Sequence, residues 1–195
     1  MADINSELTS ILAASSGTLA WPDGAIHPSA PEPADEAGLL AFVELLFFAY
    51  RDFTSDPDSV LAGLGLGRAH HRALHFVHRF PGLRVAELLD ILKITKQSLA
   101  RVLKQLIESG FIEQRPGPTD LRERLLHATP DGRALAERLV RPQLTRIAQA
   151  LDQSGPNAAL VAREFLFGMI TQADRTAVAE LIKSQPSGEN ALNED

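Results

Sequence analysis

The chain has 195 residues, 45% of them apolar and 23% charged, enough hydrophobic mass for one sizeable core or a small domain with accessory helices. It contains no cysteine, which excludes disulfides, thiolate metal sites and thiol redox sensing. No run reaches the roughly 18 apolar residues of a membrane helix, and no basic segment leads into an apolar run near the N-terminus, so a cytoplasmic location without membrane contact is expected.

The formal net charge of −6 conceals a strong asymmetry. Arg68 to Arg146 holds 15 basic and 8 acidic residues, a balance of +7, whereas the rest of the chain holds 4 and 17, a balance of −13. A local basic block of this kind is the electrostatic footprint of phosphate contact, whatever the overall charge.

In chain order, residues 1–33 mix Ser, Gly, Ala and Pro and read as a flexible tail and linker, in which Leu8, Ile11 and Leu12 could form a short docking helix. From about Ala34 to Phe53 a helix is expected that is apolar around most of its circumference, too hydrophobic to keep a free face. It leads an N-terminal dimerisation segment, 34–60. A loop rich in Asp, Pro and Gly should follow, then helices from about Arg68 to Phe80 and Val85 to Leu92.

The stretch "TKQSLARVLKQLIESG" predicts a four-turn helix with Thr95 as N-cap and Gly110 as the residue that closes it. Leu99, Val102, Leu103, Leu106 and Ile107 form the stripe that faces a core. Phe111–Arg115 and Glu123–Ala128 read as two short strands joined by a Pro/Gly turn. Thr129 and Pro130 open a long helix to about Gln153, inside which Pro142 predicts a bend or break. A last helix is expected over about Asn157–Lys183, and residues 185–195 should be a disordered tail.

Three helices followed by a hairpin is the order of a winged helix-turn-helix, so 61–129 is expected to be a DNA-binding region and 130–184 a pair of C-terminal dimerisation helices. The fold class is mainly α with a small β-wing. A helix-turn-helix lays its second helix in the major groove, its first residues on base edges and its later ones on phosphates. Gln97, Ser98, Arg101, Lys104 and Gln105 share the polar strip of that helix, and no acidic residue appears on it before Glu108. Gln97, Ser98 and Arg101 are the candidate base readers, with Lys96 and Lys104 on phosphates. A merely solvated face is the plain alternative.

Four spaced segments, "LRVAELLDIL", "ITKQSLARVLKQLIESGFIE", "TDLRERLL" and "ATPDGRAL", resemble the MarR family of bacterial transcription regulators over about Leu66–Leu139, with the flanking helices similar by pattern only. The resemblance implies a winged-helix homodimer that binds double-stranded DNA, commonly as a repressor. It also implies a wing Arg that enters the minor groove, which corresponds to Arg122 oriented by Asp120, with Arg124 nearby. Three positions depart from the pattern: Leu121 where a basic residue is usual, Arg84 where a Thr or Ser cap is common, and Lys93 where Gly often stands in the turn. Lys93 should therefore hold a strained backbone.

The leftover apolar helices call for a twofold partner, which would present two recognition helices to half-sites of a palindrome about one helical turn apart. The segment "HHRALHFVH" sets His71, His75 and His78 along one helix face. Their candidate uses are packing, dimer contact, the lining of a small-molecule effector pocket, a pH response, or a metal site, although three histidines on one helix close a tetrahedron poorly. Otherwise no cofactor is expected. Enzymatic readings fail: "HRALH" has Arg72 where a zincin helix needs Glu, "AGLGLGRA" lacks the phosphate-loop Lys, and no nucleophile elbow is present. The alternative to a DNA-binding regulator is a winged-helix protein-interaction module without DNA binding.

Overall fold

The computed structural model describes residues 36–118 and 120–184. The expected tails and the short docking helix at Leu8, Ile11 and Leu12 lie outside the described residues. Seven helices and one small sheet are described: α1 Glu36–Ala62, α2 Arg68–Arg79, β1 Leu83–Arg84, α3 Val85–Leu92, α4 Lys96–Glu108, β2 Ile112–Pro116, β3 Arg124–Ala128, α5 Pro130–Gln153, α6 Ala158–Gly168 and α7 Gln172–Lys183. The sheet is antiparallel in the order β1-β3-β2, with Ile112 opposite Ala128 and Leu83 opposite Leu126. The order is that of a winged helix-turn-helix, α3 and α4 forming the turn motif and β2–β3 the wing.

One core serves the winged domain. Leu74 and Val77 of α2, Leu88 of α3, Leu99 and Leu106 of α4, and Leu126 of β3 are all shut from solvent. Leu135, Ala136 and Leu139 of α5 join the same cluster, as does Leu61 at the end of α1. The first turns of α5 therefore pack into the same core as α2, α3, α4 and β3.

The join is tight. Thr129 caps α5 by accepting from the Gly132 N–H at 3.0 Å, while its own hydroxyl donates to the Gly110 carbonyl at 2.6 Å. Gly132 lies directly against the Phe111 carbonyl, where any Cβ would collide with the oxygen. Gly110 takes the left-handed conformation at φ 74°, ending α4 as its residue type suggests.

Three elements differ from the sequence expectation. First, α1 continues to Ala62 through Pro57, where a loop was expected. Proline removes the N–H that would bond the carbonyl four residues back, and that carbonyl, Phe53, instead accepts from the buried Gln143 Nε2 of α5 at 3.1 Å. A tertiary donor replaces the helical one, so the helix need not stop. Second, of the bend or break expected at Pro142, the break does not occur, and α5 runs on to Gln153. Third, the last helix is two, α6 and α7, parted at Met169–Thr171. Arg175 of α7 reaches back to the Gly168 and Ile170 carbonyls at 2.6 and 2.9 Å, satisfying acceptors that the break exposes. The two-residue β1 is an addition, since Arg84 reads from sequence only as a helix cap.

Outside the winged core, α1 and α6 are richly apolar yet open. Leu40, Phe47 and Phe48 of α1 are 56%, 71% and 56% exposed, and Leu160 and Leu166 of α6 are 60% and 57% exposed. The Phe42 ring sits 5.9 Å from that of Phe165, bringing α1 and α6 together. Among the described residues no helix is long and apolar enough to cross a membrane.

Candidate nucleic-acid interface

Thr95 organises the start of α4. Its hydroxyl oxygen accepts from the Ser98 N–H at 3.2 Å and its hydroxyl proton goes to Ser98 Oγ at 2.9 Å, which leaves the Ser98 proton free to donate outward. Lys96, Gln97, Ser98, Arg101 and Lys104 are all exposed. Among the described residues, Lys96, Gln97 and Arg101 make no side-chain hydrogen bond or ion pair, and Lys104 is 3.7 Å from Glu108 in a loose i,i+4 pair. Gln105 departs from this strip: its amide donates to the Gly65 carbonyl at 2.9 Å, fastening α4 to the loop before α2. Periodicity cannot distinguish Gln105 from its neighbours, because the loop that uses it is 40 residues away.

On the wing, the Asp120 carboxylate accepts the Arg122 backbone N–H at 2.8 Å, and the Glu123 N–H bonds the Asp120 carbonyl at 3.0 Å. The acid therefore shapes the turn. No ion pair joins Asp120 to the Arg122 guanidinium, and the side chains of Arg122 and Arg124 are exposed and unpaired among the described residues. Leu121 beside them is 73% exposed.

Two of the departures noted above acquire structural partners. Lys93 adopts φ 52°, ψ 44°, the strained left-handed conformation expected of a non-glycine turn residue, and its Nζ lies 3.1 Å from Asp174 of α7. The Lys93 ammonium, and then the Thr171 hydroxyl, hold the Asp174 carboxyl below its ordinary pKa. Arg84 pairs with Glu87 at 2.6 Å and with Glu123 at the end of the wing at 3.6 Å, while Glu87 accepts the Arg84 N–H at 2.8 Å. In place of a hydroxyl cap, Arg84 ties α3 to the wing.

The histidines divide. His71 and His75 line a pocket of about 430 Å³ between α1, α2 and α5, shared with Tyr50, Arg68, Arg72 and Gln143, their rings edge to face at 6.5 Å. Burial, followed by its positive neighbours, pushes the His75 pKa down to about 4, and burial lowers that of His71. His78 opens instead onto a separate pocket beside the wing. His70 Nδ1 accepts the Gly67 N–H at 3.1 Å and so serves the start of α2. The metal reading needed His71, His75 and His78 together; among the described residues no group of three His, Cys, Asp or Glu is arranged to hold an ion. Sequence alone does not mark Arg68 and Arg72 as pocket residues, although their spacing of i and i+4 flanks His71 and His75 on the same face.

A long basic second helix with unpaired donors and a wing with unpaired arginines define a winged helix-turn-helix protein. The sequence profile described as MarR family matches residues 64–123. The HTH-type transcriptional regulator PetP of Rhodobacter capsulatus is 47% identical over 133 residues, spanning 68% of this chain and 80% of that protein. The multiple antibiotic resistance protein MarR of Salmonella typhimurium is 41% identical over 51 residues, 26% of this chain and 35% of that one. The chain belongs to the MarR family. That family is one of transcriptional regulators, which are not enzymes. Among solved structures, Streptococcus pneumoniae FabT in complex with DNA superposes with a TM-score of 0.59 at 16% identity, covering 74% of this chain and 97% of that one, which speaks to the fold alone. The regulator SlyA gives 0.55 at 21% identity, covering 73% and 94%.

Proposed function

We propose that the protein is a sequence-specific double-stranded DNA-binding regulator, a repressor that occupies a palindromic operator as a homodimer in the cytoplasm. The observation that carries this reading is the exposed strip of α4, in which Lys96, Gln97 and Arg101 are donors with no partner of their own. Unpaired donors at the start of a helix suit base edges, and Arg101 has the fork that guanine O6 and N7 accept. Lys96 and Lys104 are assigned to phosphates, Ser98 and Gln97 to bases. Arg122 and Arg124 approach the minor groove from a wing turn shaped by Asp120. The MarR-family membership supports the reading of the protein as a DNA-binding regulator.

The open apolar faces of α1 and α6 favour a second copy as the element that covers them, with α5 and α7 completing a dimerisation unit. The pocket of about 430 Å³ between that unit and the winged domain is a natural seat for a small-molecule effector, within the size range of such sites. His71 and His75 would line it, and no cofactor is required.

Selection of duplexes from a random pool by the purified chain, followed by titration of the winning sequence against salt, tests the reading. The expected result is a palindromic winner whose affinity falls steeply as salt rises, from counterion release at several phosphates. Absence of enrichment at low salt would overturn it in favour of a protein-interaction module.

A further inference from the structure

A second concave site lies against the outer face of the wing, apart from the α1–α2–α5 pocket. It has a volume of about 330 Å³, and its polar lining comes from four elements: His78 of α2, Arg115 of β2, His127 of β3 and Arg133 of α5. The register explains the convergence. Glu113 stands opposite His127 and Arg115 opposite Leu125, so Arg115 and His127 share the sheet face that points away from the core residues Ile112 and Leu126. The end of α2 and the start of α5 flank that face.

The lining offers donors without carboxylates. Arg115 is steadied by Glu113, its Nε 2.9 Å from Oε1, and Arg133 by an Nη1 bond of 3.1 Å to the Ala128 carbonyl. A guanidinium has five N–H groups, so both keep donors to spare. His78 Nδ1 is closed off from solvent and has no hydrogen-bond partner, an uncommon state for a buried polar atom. Burial, the largest influence on each, holds the pKa of His78 and of His127 below the ordinary histidine value. An anion seated between the two rings would offset that penalty by stabilising their protonated forms. Glu113 offsets part of the Arg115 charge, and Glu137 favours protonation of His78 while Arg79 and Arg133 oppose it, so Arg133 is the guanidinium of the lining with no carboxylate paired to it among the described residues.

We propose that this wing-side pocket binds a small multiply charged oxyanion, a phosphate monoester or polycarboxylate, held by Arg133 and Arg115 between the rings of His78 and His127. The volume lies at the lower end of small-molecule sites. The site is independent of the DNA-binding reading: it uses none of the residues assigned to the duplex.

The test uses the full chain, titrated at constant ionic strength with inorganic phosphate and, separately, with citrate while the ring resonances of His78 and His127 are followed. Saturating shifts of both rings are expected with at least one probe, and the probe that saturates at the lower concentration separates phosphate from carboxylate. Arg133→Gln should weaken the apparent affinity by about tenfold or more, since one charge-assisted pair is lost. Arg138→Gln, exposed on α5 outside the pocket, should leave it unchanged. If thermal unfolding shows Arg133→Gln to be poorly folded, His127→Gln serves instead, with the same weakening expected. Shifts that grow without saturation, or an equal response in the Arg133 and Arg138 variants, overturn the site. Weakened duplex binding in Arg133→Gln without any shift from either probe also overturns it and assigns the cluster to the DNA backbone.

Discussion

Arg101 concentrates the chemistry of α4 in one side chain. It is exposed and unpaired, so removing it leaves no internal partner unsatisfied and no cavity. Arg101→Ala should weaken binding to the selected duplex by about 1–3 kcal/mol and relax discrimination at one base pair, with the unfolding midpoint unchanged. Duplex variants titrated against both proteins check this, and unchanged discrimination would remove Arg101 from the readers. The exposed position of Arg101 was legible in the sequence because helical spacing alone puts it opposite the apolar stripe. The roles of Gln105, Arg84 and Lys93 were not, because each is decided by a partner distant in sequence: the Gly65 carbonyl, Glu123 and Asp174. Spacing reports which way a side chain points along its own helix, and distant partners lie outside its reach.

The elements of the winged domain were legible almost residue for residue, since caps and apolar periods coincide there: Thr95 and Thr129 do cap α4 and α5. The misreadings fall where a tertiary group compensates a local breaker. Pro57 ends a helix by local rules, but Gln143 supplies the missing donor to Phe53. Gln143→Leu should therefore cost about 1–3 kcal/mol, the penalty of a buried carbonyl without a partner. In a Pro57→Ala background, where residue 57 regains its own N–H, the same substitution should cost measurably less. Denaturant unfolding of the four proteins closes the cycle, and additive costs would show that the Gln143 bond does not answer to Pro57. The break between α6 and α7 was missed for a related reason. The apolar pattern continues across Met169 and Ile170, and only the Arg175 bonds to Gly168 and Ile170 reveal how the interruption is stabilised.

At the scale of the molecule, the open faces of α1 and α6 bear on assembly. Phe47, 71% exposed, lies on α1 outside the winged core, so Phe47→Glu should leave that core folded while burying a charge in the proposed interface. Light scattering should then show monomers, with helical content retained by circular dichroism and operator affinity sharply reduced. A dimer that survives the change would move the interface elsewhere. Removing the chain from Pro130 onward would be a poor test of the same point, because Leu135 and Leu139 fill the winged core.

The contact between Gly132 and the Phe111 carbonyl has a mechanical meaning beyond packing. With no room for slack there, and with Thr129 bonded to Gly110, the end of α4 is clamped to the start of α5, and the two form a lever. α5 has 24 residues, a length of about 36 Å, so a tilt of ~5° about its far end sweeps the clamped end through ~3 Å. In a twofold pair both arms swing together. The gap between two recognition helices would then be set by an angle at the far end of α5, and the winged domain could stay rigid while its grip on the duplex is gained or lost.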